Sequence, residues 1–119
     1  MPNLMHGSIV WARVPDENGV NHKERPAVIV TATDDIDVND PLVAVAVTGT
    51  FSNPLRESQV ALPFHPSGNT RTKLRRPTVA VCDWIVRIKK ADILQVAGIV
   101  PPGPLTEIME KVEALLDDL

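Results

Sequence analysis

The longest apolar stretches of this chain are short and rich in β-branched residues, AVIV at 27–30 and LVAVAV at 42–47, and turn-forming residues bound them. Runs of this length suit strands buried on both faces. They are far too short to cross a bilayer as helices, and the N-terminus lacks the basic region and apolar run of a signal peptide. The expectation is a chain of short strands with no membrane segment, in the cytoplasm.

The punctuation places the strands. SIVWARV, 8–14, alternates around Ile9 and Trp11 and stops at Pro15-Asp16-Glu17-Asn18-Gly19, a turn that supplies positive φ. PAVIVTAT follows from Pro26, and a proline is expected only as the first residue of such a strand. The segment DDIDVNDP, 34–41, reads as a connection, LVAVAVT as the third strand and residues 51–58 as another loop. QVAL at 59–62 is a short strand, HPSGNTRTK a polar tip, and PTVAVCDWIVRI, 77–88, the longest strand. Lys89 to Asp92 form one helical turn before LQVAGIV, which Pro101-Pro102-Gly103-Pro104 ends.

Past that stop, Leu105, Ile108, Met109, Val112, Leu115, Leu116 and Leu119 fall on one helical face, with Pro104 at the first helical position. Five or six strands followed by one amphipathic helix predict a mainly β fold. The expected form is a small SH3-like antiparallel β-barrel carrying a C-terminal α-helix, with residues 1–119 as a single domain.

The single cysteine, Cys82, allows no intrachain disulfide and no cysteine-based zinc site. Two Phe, two Trp and no Tyr mean an aliphatic core. The net charge of −3 argues at first against a nucleic-acid partner, yet the charge is unevenly spread. Residues 71–90 hold Arg71, Lys73, Arg75, Arg76, Arg87, Lys89 and Lys90 against Asp83 alone. Such a run is either a solvated face or a local anion-binding surface.

Phosphate loops, HExxH and GxSxG motifs are absent, and His6, His22 and His65 read as scattered loop histidines. Arg25 precedes a buried strand and follows a polar loop, so its guanidinium is expected at the mouth of the barrel. Thr48 ends the third strand before Gly49, where a small residue lets a ligand approach the backbone. If the two strand ends lie side by side, an arginine fork and a hydroxyl converge on one point, a geometry suited to a phosphodiester. On general grounds each reads more often as structural. Trp11 and Trp84 read as core or dimer contacts before they read as base-stacking platforms; if Trp84 faces inward, Asp83 faces out.

GSIVWARV, KERPAVIVT, LVAVAVTGT and VAGIVPPGPLTEIMEKVEALL, in this order from Gly7 to Leu116, resemble the PemK/MazF family of toxin endoribonucleases. Arg25-Pro26 matches the family's dipeptide before a β-branched strand, Thr48 its strand-ending threonine, and Gly98 a glycine before the last turn and helix. The resemblance implies a barrel that dimerises, cuts single-stranded RNA without a metal or cofactor, and is neutralised by an antitoxin protein whose tail fills the RNA groove. It implies Arg25 as the principal catalytic residue and Thr48 as its partner at the phosphate. His22, Lys23, Arg71, Lys73, Arg75, Arg76 and Thr78 are the candidate RNA-binding residues.

The chain departs from the family pattern in two places. Gly49 stands where many members carry Ser, and Pro77-Thr78 stand near another family Ser, for which Thr78 is the candidate substitute. The loop from Phe51 to Thr72 does not align. Two other readings of the fold remain, a CcdB-like toxin that poisons gyrase by protein contact and a catalytically silent protein-binding module.

Overall fold

The computed structural model describes residues 4–117, with side chains to Leu115, so the expected core position Leu119 and the side chain of Leu116 lie outside what is described. Six strands form one antiparallel sheet: β1 Ser8–Val14, β2 Lys23–Ile29, β3 Leu42–Thr48, β4 Gln59–Leu62, β5 Thr78–Ile88 and β6 Ile93–Ile99. Helix α1 is a single turn, Thr33–Ile36, and helix α2 runs Pro102–Asp117. The strand order is β4-β5-β3-β2-β1-β6. β1 and β5 touch although two strands separate them, so the sheet curls as a barrel does, with β4 and β6 as its edges.

The curl creates two cores because alternate residues face opposite sides. Ile9, Val28, Val45, Val47, Ala80 and Cys82 face α2 and pack on Ile108 and Val112. Val10, Ala12, Ala27, Ile29, Ala44, Ala46, Val86 and Ile88 fill the inside of the curl. Burying a residue such as Ile108 completely is worth about 1.5–3 kcal/mol. Gly7 allows the helix to come this close. It sits at φ +89°, and a Cβ there would lie 2.8 Å from Leu105 Cδ2. No helix among the described residues is long and apolar enough to cross a membrane.

Four local features depart from expectation. Pro26 is the fourth residue of β2, not its first, because β3 pairs only with Ala27, Val28 and Ile29. At Pro26 the strand therefore has a neighbour on one side only, where a missing N–H is tolerated. The connection after β2 holds the short α1, which buries Ile36 in the inner core. Helix α2 begins two residues before Pro104, the Pro101 carbonyl accepting its first bond, from Leu105 N–H at 3.1 Å. Leu115, expected on the buried face, is 38% exposed.

β5 is bent by a bulge. Its pairing with β3 jumps from Ile85 to Val81 between Val45 and Ala46, so Cys82, Asp83 and Trp84 have no partner on β3. Cys82 turns toward α2, Trp84 packs against the inner core and Asp83 is exposed. The loop 63–76 then spans the gap between the two sheet edges. It leaves β4, lies against β6 through Ile99 N–H donating to Arg71 O at 2.9 Å, and returns to β5.

Candidate functional site

The β2–β3 ladder runs Ile29↔Ala44, Val28↔Val45, Ala27↔Ala46, and two further steps would set Arg25 opposite Thr48. The strands part before reaching that pair, while β3 stays bonded to β5 as far as Thr48↔Val79. A cleft of about 480 Å³ opens at the split, lined by Arg25 and Pro26 on one side and Val47, Thr48 and Gly49 on the other. The expected convergence of an arginine and a hydroxyl is thus produced by register. Both side chains belong to the face that further down the ladder carries Ala27, Ile29, Ala44 and Ala46.

Arg25 is held from two directions. Its Nη1 donates to the carbonyl oxygens of Val14 and of Asn21. Its Cζ lies 5.5 Å from the centroid of the Trp84 ring, within cation–π range. The indole Nε1 donates to Pro15 O at 3.2 Å, which fixes the ring. Both hydrogen bonds leave from Nη1, so the Nη2 end of the fork remains for a ligand. Thr48 Oγ1 accepts the Thr50 N–H at 3.1 Å, which leaves its own O–H to donate elsewhere. Near it Thr78 Oγ1 is buried without a hydrogen-bond partner, an arrangement that normally calls for a ligand or water.

The remaining wall comes from the loop 63–76, and its anchor is Thr72, which is fully buried. Thr72 Oγ1 donates to Pro63 O at 2.7 Å, meets Thr70 Oγ1 at 3.0 Å and accepts the Leu74 N–H at 3.2 Å. Gly98 on β6 admits this loop, since a Cβ there would stand 2.3 Å from Thr72 O. Lys73 follows with φ +61°, and Lys73, Arg75 and Arg76 all line the cleft. With Arg25 that makes four cations. No carboxylate or histidine occurs among the described residues lining the cleft, so it concentrates anions even though the chain is net negative.

Of the sequence candidates, Arg25, Thr48, Lys73, Arg75, Arg76 and Thr78 come together here. His22 and Lys23 are exposed at the start of β2 and do not line the cleft. Arg71 lines a separate groove of about 520 Å³ with His6, Met109, Glu110 and Glu113 on the α2 side. His65 is exposed, its Nδ1 2.8 Å from Ser67 Oγ. Trp11 is 38% exposed and, with the half-buried Trp84, lines the cleft. Reading the sequence missed Thr72 and the contact of Trp84 with Arg25. A lone threonine among cations carries no periodic signal, and Trp84 reaches Arg25 only because the β5 bulge resets its direction.

The family model that describes a PemK-like, MazF-like toxin of type II toxin–antitoxin systems matches residues 5–116. Among solved structures, a MazF from Deinococcus radiodurans superposes with a TM-score of 0.73 at 19% identity, covering 98% of this chain and 99% of that one. A MazE–MazF structure from the same organism gives 0.70 at 22% identity, covering 98% and 99%. An endoribonuclease from mycobacterial species gives 0.70 at 19%, covering 98% and 94%. At these identities the likeness is one of fold. Comparison with curated proteins gives no match. The family match, which takes in every strand, the cleft and nearly all of α2, assigns this chain to the PemK-like, MazF-like toxins of type II toxin–antitoxin systems.

Proposed function

We propose that this toxin is a metal-independent endoribonuclease that cuts single-stranded RNA at the β2–β3 cleft. The observation that carries the reading is the convergence of a held but incompletely used Arg25, the Thr48 hydroxyl and three further cations in a cleft whose described lining holds no carboxylate. Structural relatives named as an endoribonuclease and as a MazE–MazF complex add to it.

In the proposed reaction the ribose 2′-oxygen bonds to the adjacent phosphorus and loses its proton to solvent water, while the bond to the 5′-oxygen breaks and that oxygen takes up a proton in return. The products are a cyclic phosphate and a 5′-OH end. Charge accumulates on the phosphorane oxygens, and preorganised donors aimed there supply the main acceleration. Arg25 offers Nη2 to those oxygens and hydrogen-bonded proton delivery to the leaving oxygen. A guanidinium has donors but no acceptor site, so it is not the base and its role is electrostatic. Thr48 donates its O–H to a non-bridging oxygen, because its lone pair already takes Thr50 N–H. Thr78 Oγ1 provides another polar contact, and Lys73, Arg75 and Arg76 bind the flanking phosphates.

The partners proposed are RNA, a cognate antitoxin protein and a second copy of the chain. Val79 and Val81 are buried within the subunit, whereas Ile85 and Leu115 are exposed and available as apolar contributors to a dimer. Sedimentation at micromolar concentration tests the dimer; a monomer there removes it.

The direct test incubates the protein with a long mixed-sequence RNA in EDTA, beside Arg25→Ala, and maps the ends. Discrete cuts with 5′-OH ends, slowed about a hundredfold or more in the variant, are expected. An uncut RNA, with folded protein and undiminished toxicity in Arg25→Ala, transfers the function to a protein target.

A further inference from the structure

We infer that Asp16 is a positioning residue for Arg25, its carboxylate closing the β1–β2 turn on Asn21 so that the turn's carbonyls fix the guanidinium. The inference rests on the proposed nuclease reading and concerns a residue outside the cleft.

The turn is built around one side chain. Asp16 Oδ1 accepts the N–H groups of Asn18 at 2.9 Å and Val20 at 3.1 Å, and Oδ2 accepts Asn21 Nδ2 at 2.9 Å. The main chain closes the same loop, with Asp16 N–H donating to Val20 O at 2.7 Å and Gly19 N–H to Asp16 O at 2.9 Å. Asn21 sits at φ +56°, a left-handed conformation that asparagine tolerates, and its carbonyl receives Arg25 Nη1. The neighbouring residues complete the grip: Val14 O takes the same Nη1, and Pro15 O holds the indole on which Arg25 stacks.

Residues 14–21 therefore supply three carbonyls, two to Arg25 and one to Trp84. The Asn21 amide and the Val20 N–H also hold the Asp16 carboxyl below its ordinary range, so it stays ionised when the turn is closed. Asp16 makes no hydrogen bond to the guanidinium and does not line the cleft; beyond a Coulombic attraction to Arg25, the smallest of the influences on its carboxyl, it acts through Asn21.

The experiment measures single-turnover cutting of a short RNA by Asp16→Ala, Asp16→Asn and Asn21→Gly, with wild type and Arg25→Ala as references. Asp16→Ala is expected to slow the saturated rate about ten- to a hundredfold, as a misplaced catalytic group does, with the half-saturating RNA concentration within about twofold. Asp16→Asn keeps an acceptor for Asn18 and Val20 and recovers part of the rate. Asn21→Gly keeps the carbonyl and tolerates the φ, so it falls between wild type and Asp16→Ala. In a Trp11→Phe background, where Trp84 is the remaining indole, Asp16→Ala shifts the emission spectrum relative to that background.

A folded Asp16→Ala that cuts at the wild-type rate overturns the inference. So does a variant altered only in half-saturation, or an unfolded Asp16→Ala accompanied by Asp16→Asn and Asn21→Gly that cut normally. A wild type that cuts no RNA falls on the nuclease reading itself, and this inference falls with it.

Discussion

Two hollows lie on either side of the same loop, and one basic run supplies cations to both. TRTKLRR, 70–76, sends Lys73, Arg75 and Arg76 into the β2–β3 cleft and Arg71 into the groove beside α2. Thr72 is the pivot, fully buried between them and bonded to Pro63 and Leu74. The α2 groove is slightly larger, about 520 Å³ against about 480 Å³, but Arg71 shares its lining with Glu110 and Glu113. The cleft's described lining has four cations and no carboxylate. Size does not separate these hollows, and neither does net charge over a segment; what separates them is which side of a buried threonine each residue falls on.

The first way to sharpen this contrast is to damage the helix side alone. Ile108→Ala empties a fully buried site where α2 meets the outer core, and should destabilise the protein by about 2–5 kcal/mol in urea titration. Cutting per folded molecule should stay unchanged, because Ile108 does not line the cleft. Gly98→Ala acts on both sides through the pivot. Its Cβ would stand 2.3 Å from Thr72 O, so the loop must lift from β6 at a cost of about 1–3 kcal/mol. Unlike Ile108→Ala, it should also weaken RNA binding, measured by filter retention under conditions where the protein stays folded.

Splitting the basic run tests the contrast most sharply. Lys73→Ala, Arg75→Ala and Arg76→Ala combined should lower RNA affinity and flatten the dependence of log affinity on log salt by about 2, since each phosphate neutralised on a single strand adds roughly 0.7 to that slope. Arg71→Ala, one residue from Thr72, should leave the slope within about 0.3 of wild type, less than half the value of one neutralised phosphate. A change of about 0.7 in Arg71→Ala would instead join the two grooves into a single RNA path.

How far these features were legible in the sequence follows from their physical origin. The strands were readable because β-branched runs end at Pro, Asn and Gly, and Ser8–Val14, Leu42–Thr48 and Gln59–Leu62 stand where their patterns place them. Thr48 was readable as a strand-end residue and Arg25 as the residue before the buried run, although it stands inside β2, and the β2–β3 register explains why they converge. Three features were not legible because they depend on the meeting of distant segments. Pro26 inside β2 depends on where β3 stops pairing, and the Trp84 stack on Arg25 depends on the bulge in β5. The division of the basic run depends on Gly98 receiving Thr72 across a gap of 26 residues in sequence. Local pattern contains none of these pairings.

The smallest effect expected concerns Cys82, which the β5 bulge turns into the helix-side core, away from the cleft. Burial pushes its thiol up to about 11 from an ordinary value of 9.0, Lys111 opposing that rise. An acid raised on folding contributes stability that is fully present below its unfolded value and fades as pH climbs through the folded one. Urea midpoints of wild type should therefore fall faster between pH 9 and 11 than those of Cys82→Ala. At about pH 8 an aromatic disulfide reagent should label the native thiol only as fast as the core opens, and at once in urea. Rapid labelling of folded protein would mean that the bulge opens independently of α2, and the two faces of the sheet would then share one mobile element at Cys82–Trp84.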